Sequence, residues 1–291
     1  MVGSGGSMPD SYEGREQAFI KHRLLESYLE KLFLIVGVRA GALGIGIEMS
    51  TQSRIEWTEQ TWNPVVGCTK VSPGCKNCYA ETMARRLQAM GVRGYEKGFR
   101  LVLMPGRLQE PLDRRKPTVY FVNSMSDLFH EKVPFEYIER VFDVMGCAQQ
   151  HTFQVLTKRA ERMAEFCHGK TLPPNVWLGV SVENRKHGVP RVDVLRGIAA
   201  NVRFLSIEPL LEDLGAVELH DIHWVIVGGE SGPKARPMQA EWVDNIKQQC
   251  DDAHVAFFFK QWGAWGVDGQ RRSKKANGRQ YAGQVWDAMP G

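Results

Sequence analysis

From Ile55 onward the chain alternates short apolar runs, rich in β-branched and aromatic residues, with amphipathic stretches of helical length. The apolar runs are Val119 to Asn123, Phe153 to Thr157, Val176 to Ser181, Arg203 to Ile207, Trp224 to Val227 and Val255 to Phe259, with a weaker one at Trp62 to Val66. Runs of this length between polar punctuation read as strands. Helical patterns fill the intervals at Tyr79 to Met90, Phe135 to Gln149, Ala160 to Cys167, Val189 to Ala200 and Glu241 to Asp252. The interval Glu208 to His220 holds little more than a turn and loop. Strands joined through helices pair in parallel. Six or seven such units, with no GxGxxG behind the first strand, predict an α/β fold: a full or partial (β/α) barrel of six to seven parallel strands.

The 43% hydrophobic content of the 291 residues suffices for a buried core. Residues 1–48 differ from the rest, with a Gly/Ser-rich start followed by an apolar stripe from Gln17 to Leu34. They read as an N-terminal extension, poorly ordered or a docking helix, with Met49 as the natural start. The barrel is expected over 49–262, with a basic insertion at 91–117, and residues 263–291 as a tail packing on it. The apolar run Leu32 to Ile47 is interrupted by Arg39 and too short and glycine-rich to span a bilayer, so no membrane partner is expected. With no secretory signal, and three of six cysteines clustered, the usage implies a reducing cytoplasm rather than a disulfide framework.

That cluster lies in Asn63 to Ala84, NPVVGCTKVSPGCKNCYAETMA, where Cys68, Cys75 and Cys78 are separated by six and two residues. Gly67, Pro73 and Gly74 permit a loop that wraps its sulfurs around one point. Three thiolates suit an iron-sulfur cluster or zinc, while unpaired structural thiols and a redox Cys-x-x-Cys are the blander readings. For zinc, His130, His168 or His254 could supply a fourth ligand. Cys147, Cys167 and Cys250 fall inside helical patterns and read as small core residues.

In a parallel barrel the chemistry sits at the C-terminal strand ends. Here those ends are polar: Asn123, Ser124 and Asp127; Lys158 and Arg159; Ser181 and Glu183; Glu208; Gly228, Gly229 and Glu230; and Lys260. Helix caps and loop residues account for such positions singly. Carboxylates at Glu183, Glu208 and Glu230 need partners if buried, and Lys158, Arg159 and Lys260 are the available counter-charges. The net charge is only +4, but Arg85 to Lys116 carries nine Lys/Arg against three acids, and Arg271 to Arg279 is a second basic cluster. Both could meet phosphates or be solvated faces.

The run IEWTEQTWNPVVGCTKVSPGCKNCYAE, with FVNSMSDLFHE, LTKR, WLGVSVEN, SIEPLL, WVIVGGESG, FFFKQWG and the closing WDAMP, resembles a phage- and prophage-associated family of unknown function defined by three cysteines. The likeness covers Ile55 to Pro290. That family is similar in turn to radical S-adenosyl-L-methionine (SAM) enzymes, although the six-residue first gap is longer than usual there and Asn77 replaces the usual aromatic. The resemblance implies a partial barrel in which Cys68, Cys75 and Cys78 hold a 4Fe-4S cluster whose fourth iron binds S-adenosyl-L-methionine. It implies an enzyme that generates a 5′-deoxyadenosyl radical, with an electron donor for the cluster. Asn123, Ser124, Asp127, Ser181, Glu183, Glu208, Gly228, Gly229 and Glu230 are then the candidates for cofactor binding, and Lys158, Arg159 and Lys260 for substrate binding. A nucleic acid or nucleoside is the substrate that the phage setting and the basic stretch suggest. The rival readings are a zinc-stabilised, non-catalytic nucleic-acid-binding protein and a degenerate barrel scaffold.

Overall fold

The computed structural model describes residues 51–53 and 55–290. The expected N-terminal extension, residues 1–48, lies outside them. One sheet organises the described chain. Its strands are β1 (Thr51–Gln52), β2 (Gln60–Trp62), β5 (Val119–Val122), β6 (Thr152–Thr157), β7 (Val176–Ser181), β8 (Val202–Ile207), β9 (Trp224–Gly228) and β10 (Ala256–Gln261), in that order. Two short strands outside it are β3 (Val65–Val66) and β4 (Val102–Leu103), which pair with each other. From β2 to β10 every neighbour is parallel, and only β1 runs antiparallel at the edge. Seven parallel strands in sequence order, with β2 and β10 unpaired to each other, form a curled half-barrel: the partial form of the expected barrel.

The crossovers are α1 (Tyr79–Ala89), the single turn α2 (Glu110–Asp113), α3 (Phe135–Cys147), α4 (Ala160–Cys167), α5 (Val189–Arg196) and α6 (Ala240–Asp252). Alternation along each strand divides the apolar residues between two layers. Tyr120, Val122, Phe153, Val155, Leu178, Val180, Leu205, Ile207, Val225, Val227, Phe257 and Phe259 join the core under the helices. The opposite, concave face holds Phe204, Trp224, Ile226 and Phe258, capped by Trp57, with Phe121, Leu156 and Trp177 against them. Trp57 meets Phe121 at 4.7 Å and Trp224 at 6.1 Å between ring centroids. Gly179 leaves the room that Phe204 fills, since a Cβ there would fall 2.4 Å from its ring. An aromatic plug thus closes the concave face below, and the polar strand ends lie above it.

The weak run Trp62 to Val66 is not one strand. Pro64 donates no hydrogen bond, and the ladder breaks there. Side chains take it over: Asn123 Oδ1 accepts from Val65 N at 3.2 Å, and Asn63 Oδ1 accepts from Met125 N at 3.0 Å. The chain therefore leaves the main sheet before reaching the cysteines. The basic stretch packs Tyr95 and Met104 with Val66, Met83 and Leu87 into a satellite core over α1. Residues 263–290 add α7 (Lys274–Asn277), β11 (Gln280–Tyr281) and β12 (Gln284–Val285) and lie along β10, where Phe259 N donates to Trp286 O at 2.9 Å. Cys167 and Cys250 are buried as expected, but Cys147, at the final turn of α3, is exposed. Among the described residues no helix is long and apolar enough to cross a membrane.

A candidate metal centre and its polar rim

The cysteine loop leaves β3 at Gly67, whose φ of 80° suits glycine and whose Cβ, if present, would fall 2.1 Å from Arg100 O. Cys68 N donates to Phe99 O at 3.1 Å, which ties the loop to the basic stretch. Pro73–Cys75 form a 3-10 turn, and Cys78 is the N-cap residue of α1. All three thiols are free and partly exposed. Burial pushes the Cys68 thiol up to about 11, helped by Asp127 and Cys75 and opposed by Arg159. Burial also raises Cys78, with Cys75 again adding and Lys158 opposing. Cys75 is therefore an electrostatic neighbour of both other thiols. Among the described residues, however, no three His, Cys, Asp or Glu side chains are close enough to hold a metal ion as they stand.

Three polar struts fasten this loop to the strand ends. The first is Arg159, a buried guanidinium held by Asp127 Oδ2 at 3.0 Å and Glu131 Oε2 at 3.1 Å. It donates to Thr69 Oγ1 at 2.9 Å and to Cys68 Sγ at 3.6 Å. Asp127 also accepts from Thr157 Oγ1 at 2.7 Å and Lys158 N at 3.1 Å. The second strut is Glu183, fully buried, which accepts from Ser72 Oγ and from Arg191 Nη1 at 2.6 Å, with Lys158 Nζ at 3.6 Å. These cations outweigh the cost of burial and hold the Glu183 carboxyl below its ordinary range. Gly74 is the residue that lets the loop come so close, since its Cβ would fall 2.4 Å from Glu183 Oε1. The third is Glu230, which takes both arms of Arg236, at 2.9 and 2.6 Å, and Asn77 Nδ2 at 3.0 Å.

The remaining candidates fall into two groups. Asn123 and Ser124 serve the ladder break, Ser124 Oγ donating to Asn63 Oδ1 at 3.3 Å, although the buried Asn123 Nδ2 has no partner among the described residues. Ser181 gives its carbonyl to Arg191 Nη1 at 2.7 Å. Farther round the rim, Glu208 Oε1 pairs with Lys260 Nζ at 3.0 Å, and Ser206 Oγ donates to Glu208 Oε2 at 3.2 Å. Gly228 borders that pair, and Gly229 N donates to Gln261 O at 2.9 Å. The fold thus brings Asp127, Lys158, Arg159, Glu183 and Glu230 to the cysteine loop and leaves Glu208 and Lys260 as a separate pair. Sequence reasoning missed Ser72, Asn77, Glu131, Arg191 and Arg236. Asn77 carried a signal, its place inside Cys-x-x-Cys; a lone arginine in a helix such as Arg191 carries none.

The histidines weighed for zinc are ill placed. His130 Nδ1 accepts from Lys132 N at 3.1 Å, so the neutral ring carries its proton on Nε2, which lies 3.0 Å from Thr69 Oγ1. His168 and His254 follow the ends of α4 and α6, at the opposite end of the sheet from the cysteines. The basic stretch also divides. Arg100 abuts the cysteine loop, whereas Arg114 and Lys116 line a recess of about 470 Å³ with Glu59 and Gln60 at the start of β2. The C-terminal cluster is largely paired, Arg272 with Asp268 at 2.6 Å and Lys274 with Glu56 at 2.7 Å.

Among solved structures the chain is similar to spore photoproduct lyase complexed with dinucleoside spore photoproduct, at a TM-score of 0.42 and 11% identity, over 71% of this chain and 64% of that one. A mutant of that lyase with bound AdoMet and dinucleoside spore photoproduct matches at 0.41 and 11% identity, over 72% and 65%. A further mutant matches at 0.41 and 12%, over 75% and 73%. The chain spans less than two thirds of the length of the first two. No curated protein matches it. The profile of one family matches residues 52–290, and the chain belongs to that family, described as "Protein of unknown function (DUF5131)".

Proposed function

We propose that this protein is a radical SAM-type iron-sulfur enzyme, in which Cys68, Cys75 and Cys78 hold a 4Fe-4S cluster and S-adenosyl-L-methionine occupies the mouth of the half-barrel. The observation that carries it is three free thiols on one loop at the C-terminal ends of a parallel half-barrel, with Arg159 against Cys68 and Lys158 beside Cys78. The donor set fits the group in kind: soft thiolates for iron, and fixed cations where an anionic cluster needs them. When bound, the cluster would supply the electron that cleaves SAM.

The chain's own residues take distinct parts. Asp127 and Glu230 have their oxygens engaged and act as supports, Asp127 aiming Arg159 and Glu230 anchoring Asn77. Glu183 fixes the middle of the loop through Ser72. Asn123, Ser124, Ser181, Gly228 and Gly229 border the mouth on the cofactor side. Asn123 supports that part best, because its buried Nδ2 has a hydrogen bond still to give. Glu208 and Lys260, with Lys158, face the substrate, for which we infer a nucleic acid or nucleoside.

The test is 5′-deoxyadenosine release from SAM by anaerobically reconstituted protein under dithionite. Release that stops in Cys75→Ala is the expected result. Protein that carries a full cluster and releases none would overturn enzymatic SAM cleavage and leave a scaffold.

A further inference from the structure

Cations flank the cysteine loop on the segments that it touches, and three hydrogen bonds to backbone carbonyls join those segments in series. Phe99–Arg100 abuts Cys68, through the Cys68 N to Phe99 O bond of 3.1 Å. Asn77 Nδ2 donates to Lys234 O at 2.8 Å, joining the loop to the segment after β9. Arg271 Nη2 donates to Gly232 O at 3.4 Å, joining that segment to the C-terminal one. Arg100, Lys76, Lys234 and Arg271 stand on these segments, and all four are exposed. None has a carboxylate within ion-pair distance among the described residues. The nearby acids are engaged elsewhere: Glu81 with Lys70 and Arg85 at 2.9 and 2.7 Å, Glu230 with Arg236 at 2.6 Å, and Asp268 with Arg272 at 2.6 Å. The Glu96 carboxylate turns onto Gly94 N at 3.0 Å.

Tyr79, directly after Cys78 at the start of α1 and an electrostatic neighbour of Tyr95, is 63% exposed, more than any other Phe, Tyr or Trp among the described residues. Val71, on the same loop, is 41% exposed. An exposed aromatic ring on the same loop as cations that have no carboxylate partner offers a stacking face beside phosphate-binding charge, the combination that a single strand with unstacked bases uses. We infer that this face docks a single-stranded nucleic acid, its phosphates on Arg100, Lys76, Lys234 and Arg271 and a base on Tyr79. The inference rests on the cysteine-loop face being the working face, and it narrows the substrate from a nucleoside to a strand. A duplex keeps its bases stacked inside and offers Tyr79 nothing, whereas a free nucleoside offers the cations no phosphate.

The test is fluorescence anisotropy of labelled oligodeoxythymidine and oligouridine with the full chain, without SAM, at two salt concentrations. A duplex of equal length is the comparison. Both single strands should outbind the duplex, and the tighter one identifies the natural polymer. Lys76→Glu with Lys234→Glu should weaken binding at least about tenfold and flatten the salt dependence by about two phosphate contacts. Tyr79→Ala should weaken it about tenfold with the salt dependence unchanged, as loss of one stacked base does. Arg271→Glu, far from the cysteines, repeats the charge test should the double variant fold poorly. Equal binding by wild type and variants, or tighter binding of the duplex, overturns the inference. Iron content and SAM cleavage are scored on the same preparations without any strand, so failure of the cluster reading is seen separately.

Discussion

A methyl group on Gly229 would fall 1.9 Å from the carbonyl oxygen of Trp262, while one on Gly228 would fall 2.6 Å from the carboxylate of Glu208. Backbone cannot step aside and a carboxylate can. Gly229→Ala should therefore cost about 1–3 kcal/mol and lower the melting temperature, whereas Gly228→Ala should leave stability nearly intact and part Glu208 from Lys260. Equal melting temperatures would contradict this. Glu110 makes a pH prediction. Burial pushes its carboxyl up to about 7, against the pull of Arg107. The folded state thus prefers the protonated acid, so stability is full below the ordinary carboxylate value and falls as pH rises through about 7. Glu110→Gln should stabilise the protein at pH 8 by about 1–2 kcal/mol, discounted for partial exposure, and do nothing at pH 4. Denaturant unfolding at the two pH values reads the difference; a gain at pH 4 alone would refute it.

The elements were legible where burial left sequence no freedom. Phe153, Val155, Leu178 and Val180 lie under helices, so their strands read as unbroken apolar runs. Trp62 to Val66 misled because hydropathy ignores the missing N–H of Pro64, which ends the ladder. The cysteine loop was legible from Cys, Gly and Pro together, and Asp127, Arg159 and Glu183 from their places after strands. Their partners were not. Arg191 finds Glu183, and Arg236 finds Glu230, only when the chain folds back across a strand end, and no local pattern encodes that. The C-terminal strands carry their own prediction. Trp224 Nε1 donates to Ala288 O at 2.8 Å, and the Trp286 ring lies 6.1 Å from Phe257, with Lys247 Nζ 4.1 Å from its centroid. Ending the chain at Gly283 strips these contacts from β9, β10 and α6, and should lower the denaturation midpoint and raise binding of an apolar dye. An unchanged midpoint would show that the tail merely rests there.

As a whole the molecule has a closed end and a working end. Aromatic rings from Trp57 to Phe258 fill the concave face below, so anything bound must enter among the polar strand ends. Across that opening the cysteine loop is fastened at Thr69 by Arg159, at Ser72 by Glu183 and at Asn77 by Glu230. Each fastening falls beside or between cysteines and lets none of the three swing free. A structural zinc knuckle would need a fourth protein ligand, and His130, the histidine nearest the loop, has both ring nitrogens engaged. We propose that the loop mounts an iron-sulfur cluster. The most direct measurement is iron and acid-labile sulfide per chain after anaerobic reconstitution, for wild type and for Cys68→Ala, Cys75→Ala and Cys78→Ala. Wild type should carry about four irons and four sulfides, and each variant should lose most of both. Zinc in place of iron, or iron retained when Cys78 is replaced, would contradict the proposal.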